Sequence, residues 1–246
     1  MIKLKKLSIL ATAAATALLS SSVVMAQEAS SVDSAFSEPS RGFMLEHGTV
    51  ADKGDVSVDL LTGEYNTAGG VRIGLGDAEI ILNSGLSGAS QNEVALKYGL
   101  PSFKTSYGTW NVAAYGGISY YSDDYVDNYS TYTLGGAFTL QADKATITIN
   151  PQVAVVDING AHEEMYSIGL GAYYNILEND YGRFSPGFEI TYDDVFEETE
   201  YSAGVRWGVN DRATIDFAIL NKYVTGMDST NETTDFPGVV RLNVAF

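Results

Sequence analysis

Alternation with a period of two is the feature that most limits what this chain can fold into. From residue 54 to the end, apolar residues recur at every second position between turn signals. Successive strand side chains point to opposite faces, so each such run reads as a strand with one apolar face. The first four carry Val56, Val58 and Leu60; Val71, Ile73 and Leu75; Ala78, Ile80 and Leu82; and Val94, Leu96 and Tyr98. Trp110, Val112, Ala114, Ile118 and Tyr120 follow, then Tyr132, Leu134, Phe138 and Leu140, then Ala145, Ile147, Ile149, Val153 and Val155. The eighth carries Tyr166, Ile168, Leu170, Ala172, Tyr174 and Ile176, and the ninth Phe184, Phe188, Ile190 and Tyr192. Tyr201, Ala203, Val205, Trp207 and Val209 come next, then Ala213, Ile215, Phe217 and Ile219, and last Val240, Leu242, Val244 and Phe246. The pattern predicts twelve strands. Pro151 falls in phase with the seventh, and since proline cannot donate to a ladder it is expected to mark a bulge.

The opposite faces decide which environment the apolar faces meet. Ser167, Gly169, Gly171, Tyr173 and Asn175 alternate with the apolar set in one strand, Ser202, Gly204, Arg206 and Gly208 in another, and Thr131, Thr133, Gly135, Ala137 and Thr139 in a third. These are small and polar, whereas the solvent face of a soluble sandwich would carry many lysines and glutamates. Apolar-out and polar-in describes a transmembrane antiparallel up-and-down β-barrel. Tyr98, Tyr120, Tyr121, Tyr181, Tyr192, Tyr201 and Tyr223 near the strand ends suit its interfacial aromatic girdles.

The final strand, Val240, Arg241, Leu242, Asn243, Val244, Ala245, Phe246, ends on phenylalanine in register with its apolar face. This ending resembles that of bacterial (Gram-negative) outer-membrane β-barrel proteins, porins among them. The resemblance implies that Phe246 is the signal read by the barrel-assembly machinery, and that the protein sits in the cell outer membrane among lipid and lipopolysaccharide.

The N-terminus agrees. Lys3, Lys5 and Lys6 precede an apolar run from Leu7 to Leu19, and Val24, Met25 and Ala26 supply a small-residue cleavage site. Residues 1–26 read as a secretory signal peptide, the run being short of the roughly 20 residues that span a bilayer. No comparable run follows, which excludes a helical membrane protein. With no cysteine, an exported chain has no disulfide framework to hold it.

Cleavage takes three lysines and no acids from 14 basic and 31 acidic residues, so the formal charge moves from −17 to −20. Such acidity excludes nucleic acid as a partner. The acids concentrate in connections after odd-numbered strands: Asp123, Asp124 and Asp127; Glu163 and Glu164; Asp193, Asp194, Glu197, Glu198 and Glu200; and Asp228, Glu232 and Asp235. Connections after even-numbered strands are mostly tight, which makes the acidic end external and puts both termini in the periplasm. Residues 63–67 are short for an external loop and 100–107 long for a periplasmic turn. The acidic rim repels anions and gathers cations. It lacks the spacing and glycine of an EF-hand, so no metal is implied, and no cofactor is either.

The inward face is expected to carry Asp59, Arg72, Glu79, Glu93, Lys97, Glu189, Arg206, Asp216 and Arg241. Five acids against four bases suit either ion pairs that fill a narrow barrel or a constriction whose transverse field orients a polar solute. Catalysis has little support. Of two histidines, His47 and His162, the second sits beside Glu163 and Glu164, and where barrel phospholipases place a serine two residues after their histidine this chain has Glu164. Gly74-x-Gly76 and Gly169-x-Gly171 alternate along strands rather than opening helices, so they are not nucleotide loops.

Residues 27–53 form an N-terminal lead-in or plug ahead of a barrel over 54–246. The stretch 42–53, with Phe43, Met44, Leu45 and His47, fits a first-strand extension, a plug inside the barrel or a periplasmic cap. The expected function is that of a porin-like channel passing small polar or cationic solutes by diffusion. A closed structural or surface-interaction barrel is the alternative, and a lipid hydrolase the second.

Overall fold

A computed structural model describes residues 39–63, 67–87, 90–122, 128–194, 199–220 and 238–246. The expected signal peptide and residues 27–38 lie outside the described residues. The strands are β1 (Val56–Gly63), β2 (Thr67–Gly74), β3 (Ala78–Ser87), β4 (Ser90–Thr105), β5 (Gly108–Ser122), β6 (Tyr129–Gln141) and β7 (Ala145–Ile158). They continue as β8 (Ala161–Tyr174), β9 (Leu177–Asn179), β10 (Gly182–Asp193), β11 (Thr199–Gly208), β12 (Ala213–Leu220) and β13 (Gly238–Ala245). Strands adjacent in the chain pair antiparallel except β8 and β9, which both pair with β10, and β13 pairs with β1, Leu242 opposite Leu60, so the sheet closes on itself. The three residues of β9 pair with the start of β10, which β8 pairs further along, so β8 and β9 are one interrupted stave and the barrel has twelve. Closure matters because lipid offers no partner for an open strand edge.

Period-two patterning settles which way each residue faces. Val94, Leu96, Ile118, Leu134, Leu170, Phe217 and Leu242 are exposed, while Glu79, Lys97, Thr139, Thr148, Glu189 and Ser202 are buried in the alternate phase. Large exposed apolar residues on nearly every strand are what a lipid-facing band requires and what a water-facing surface avoids. Stacked pairs, Phe103 on Trp110 and Phe184 on Trp207, lie near the tight-turn end. Tyr98, Tyr120, Tyr181 and Tyr192 are exposed, but Tyr121 turns inward and stacks on Tyr129, since it shares the phase of Ser119 rather than Tyr120.

The irregularity falls at a different proline from the one expected. At Pro151 the β6–β7 ladder is interrupted, yet Gly135 opposite Gln152 and Phe138 opposite Ile149 keep one register, so no bulge forms. The register shift is instead in the β4–β5 pair between Leu100 and Phe103, at Pro101. Because the strands resume after it, the connection is only residues 106–107, as tight as its counterparts at 75–77 and 142–144.

Candidate functional site: a chain segment seated in the lumen

Residues 40–47 fold back on themselves. The Gly42 N–H donates to the Leu45 carbonyl (2.6 Å), the His47 N–H to the Ser40 carbonyl (3.0 Å), and Arg41 bridges Glu46, so Phe43 and Met44 form the tip of a small hairpin. Its outgoing arm continues through Gly48 to residue 54, whose N–H donates to the Gly74 carbonyl at the tight-turn end of β2. Since Ser40 and His47 are level with one another, both arms face the same end. The hairpin contacts inward side chains of β2, β3, β4, β7, β8, β10, β11 and β13, and a segment that touches strands all round a closed ring lies inside it.

The wall reads the backbone of this segment. The Glu189 carboxylate accepts from the N–H groups of Phe43 (2.9 Å), Met44 (2.5 Å) and Leu45 (3.2 Å), and from the Tyr173 hydroxyl, which in turn accepts from the Phe43 N–H (2.8 Å). Arg206 donates to the Arg41 carbonyl (3.0 Å), and Arg241 to those of Gly42 and Phe43 (both 2.8 Å). Asn150 binds both peptide groups of one residue, accepting from the Glu46 N–H (2.7 Å) and donating to the Glu46 carbonyl (2.8 Å). The Gly48 N–H donates to Thr139 (2.8 Å) and the Ala51 N–H to Glu79 (2.8 Å). Buried backbone groups need partners, and here side chains on the wall supply them.

Charge fixes the opposite side. The Glu46 carboxylate receives a two-pronged contact from Arg72 (2.6 and 3.0 Å) and a third from the Lys97 ammonium (2.9 Å). Arg72 also donates to Glu79 (2.6 Å), and Lys97 to the Ser40 carbonyl (2.7 Å). Arg72 and Lys97 are almost wholly buried, where an ammonium or guanidinium without a carboxylate is costly. Burial alone would raise the Glu46 carboxyl, but Arg72 and Lys97 outweigh it and hold it well below the ordinary carboxylate range. Burial, with repulsion from Arg206 and Lys97, pushes His47 down to about 3, so its ring is neutral. The cavity between His47 and its wall neighbours Thr146, Asn175, Arg183, Ser185 and Arg206 measures about 20 Å³, too small for a solute.

An apolar contact holds the tip. Phe43 packs with Leu61, Ala218, Val239 and the Tyr173 ring, the last edge-on at 5.0 Å, with Met44 alongside. The alternating glycines of β8 make this fit possible, because a Cβ on residue 169 would lie 2.4 Å from Leu45 Cδ2. At Gly48 a Cβ would come within 2.0 Å of the Asn111 carbonyl oxygen, a backbone atom that cannot step aside.

Of the nine charges assigned to the inward face, eight are buried there, and Glu93 is half-buried and accepts from Asn83 (2.8 Å). Asp216 pairs with Arg206 (2.8 Å), and Asp59 lies 3.6 Å from Arg72 and accepts from Asn243 (2.9 Å). Sequence reasoning missed Arg183, which is buried in phase with Glu189; with it the wall carries five bases against five acids. It also missed the roles of Glu46, Asn150 and Tyr173. The glycine alternation in β8, and Gly74 in β2, where a Cβ would lie 1.9 Å from the Asp52 carbonyl oxygen, were the visible signs that something presses on the wall. On the acidic rim, Asp193 and Asp194 stand at the end of β10, where Asp194 accepts from the Tyr166 N–H (2.7 Å). Asp123, Asp124, Asp127, Glu197 and Glu198 lie outside the described residues. His162 is exposed, 3.6 Å from Asp157.

The chain matches no protein-family model, and no curated protein matches it. Among solved structures it is similar to the KdgM porin in complex with disordered oligogalacturonate, at 10% identity and a TM-score of 0.50, covering 78% of this chain and 98% of that one. The NanC porin, at 13% identity and a TM-score of 0.49, covers 78% of this chain and 98% of its own. LpxR from Salmonella typhimurium, at 8% identity and a TM-score of 0.42, covers 78% and 99%. At such identities the likeness is one of fold.

Proposed function

We propose that this protein is an outer-membrane channel of porin type whose lumen is closed by its own residues 39–53, and which passes small polar solutes when that segment leaves its seat. It is not an enzyme in this reading. Residues 1–26 are its cleaved signal peptide, Phe246 its assembly signal, the tight-turn end is periplasmic, and the acidic rim faces outward. The observation that carries the proposal is the bonding of residues 40–51 to wall side chains around the ring. An inward face of ten charges and many small polar residues suits a wet passage, and an inserted hairpin suits its control.

The test uses a reversible lock. Leu45 Cγ lies 3.4 Å from where a Cβ on residue 169 would sit, close to the ~3 Å between a disulfide sulfur and the far Cβ. The chain has no cysteine of its own to interfere. In planar bilayers, oxidised Leu45→Cys/Gly169→Cys protein is expected to show no conductance steps and to regain wild-type steps on reduction. Steps that persist in the oxidised protein refute control by the segment. Silence of the wild-type and reduced proteins alike favours the second reading, a closed structural barrel, which the same filled lumen supports.

A further inference from the structure

The seat has the chemistry of a peptide site. A sugar or a simple acid could satisfy Arg72 and Lys97, but it offers no row of N–H groups for Glu189 and no adjacent N–H and carbonyl for Asn150. The occupant in this structure offers both. Leu45 and Glu46 present an N–H to Glu189 (3.2 Å), a paired N–H and carbonyl to Asn150 (2.7 and 2.8 Å), and a carboxylate to Arg72 and Lys97 (2.6 to 3.0 Å). The acceptor and the cationic clamp are therefore spaced for groups one residue apart along a peptide.

We infer that the vacated seat binds short peptides bearing a carboxylate, with their amino or amide N–H groups on Glu189, a peptide group on Asn150 and the carboxylate between Arg72 and Lys97. The hairpin is then an internal stand-in for the solute that the channel takes. This rests on the reading that the segment can leave. Once it has left, Glu189 keeps Tyr173 but loses three N–H donors, and Lys97 loses both the Glu46 carboxylate and the Ser40 carbonyl. A ligand with a cationic amine and a carboxylate restores both, because a buried charge left unpaired is costly. Tethering makes the segment a strong competitor, so a free peptide binds in proportion to the fraction of open seats.

The probe is leucyl-glutamate with its C-terminus amidated, which copies residues 45 and 46, keeps a free ammonium and is electrically neutral overall. Leucyl-glutamine amide is the control. The full-length Gly48→Ala protein, whose added Cβ meets the Asn111 backbone, provides the vacated seat. In detergent micelles, titration calorimetry is expected to show the glutamate peptide binding at least roughly tenfold tighter than the glutamine peptide, as a charge-assisted contact to a two-cation clamp requires. It should also bind at least roughly tenfold more weakly to wild-type protein, whose seat is filled. Equal affinity for the two peptides, or equal affinity of the two proteins, overturns the inference.

A second measurement does not depend on the variant folding. Added to wild-type protein in planar bilayers, the glutamate peptide should raise the ratio of open to closed time several-fold and the glutamine peptide should not; equal responses overturn the inference. Discriminating binding by a protein silent in bilayers would sink the channel reading and leave the peptide site standing. Conduction without discrimination does the reverse.

Discussion

Replacing Glu46 by glutamine keeps the shape of the hairpin and removes its charge. Arg72 would retain Glu79 at 2.6 Å and Asp59 at 3.6 Å, but Lys97 would keep only the Ser40 carbonyl at 2.7 Å. Breaking one partner out of a buried ion pair costs about 3 kcal/mol at the low end. That end applies because the glutamine amide oxygen still accepts one hydrogen bond from Arg72. Each 1.4 kcal/mol is about a factor of ten in an equilibrium, so the odds of the unseated over the seated state should rise roughly 100-fold. Single-channel recording reads those odds as the ratio of open to closed time, with detergent-resistant folding on a gel checking that the barrel has assembled. An open-to-closed ratio within about threefold of wild type would refute the assignment of Arg72, Lys97 and Glu46 as the latch, since it would mean that the net worth of the three-way contact is under about 0.7 kcal/mol.

The apolar tip should matter comparably. Phe43→Ala removes a ring packed on Leu61, Ala218, Val239 and Tyr173, a loss of roughly 3 kcal/mol for a buried phenylalanine, and should raise the open-to-closed ratio about as much as Glu46→Gln does; an unchanged ratio would show that the tip is not held. Acidification should act through Glu46. Its seated carboxyl lies well below the ordinary range, so its contribution is complete above the unseated value of roughly 4.3 and is lost as pH falls through the seated value. Open time should therefore stay flat from about pH 7 to about pH 5 and climb only below about pH 4. The climb should shrink in Glu46→Gln, and an equal climb in that variant would assign it elsewhere.

Strand number, phase and closure were legible because two environments impose one period. Lipid demands apolar side chains and the lumen tolerates small polar ones, so Val240, Leu242 and Val244 announce their face, as do Arg241 and Asn243. Phase was misread where a residue type suits both sides. Tyr121 fits a girdle as well as a lumen, and Arg183 fits a turn as well as a wall. The hairpin was illegible as a site for a different reason. Its fold is set by side chains at Glu189, Arg241, Arg206 and Asn150, far away in the sequence, and a segment whose backbone is satisfied by distant side chains leaves no period of its own.

The same contacts bear on whether the hairpin is a gate or a permanent cap. Ordering residues 40–47 costs about 16 kcal/mol at roughly 2 kcal/mol per residue for backbone and side chain together. Their fifteen polar contacts with the wall return about 15 kcal/mol at a net ~1 kcal/mol each. Burying Phe43 and Leu45 adds about 4 kcal/mol. The two sides balance to within a few kcal/mol, as a seat that must empty on demand requires. A cap built for permanence would fill the lumen with apolar side chains, whose burial needs no partner. Here, besides the apolar contact at Phe43, the hold is divided among carboxylates, guanidinium groups, the Lys97 ammonium, the Tyr173 hydroxyl and one asparagine. Such groups hold the segment while they are matched to it, and each can be matched instead by a solute with the same chemistry.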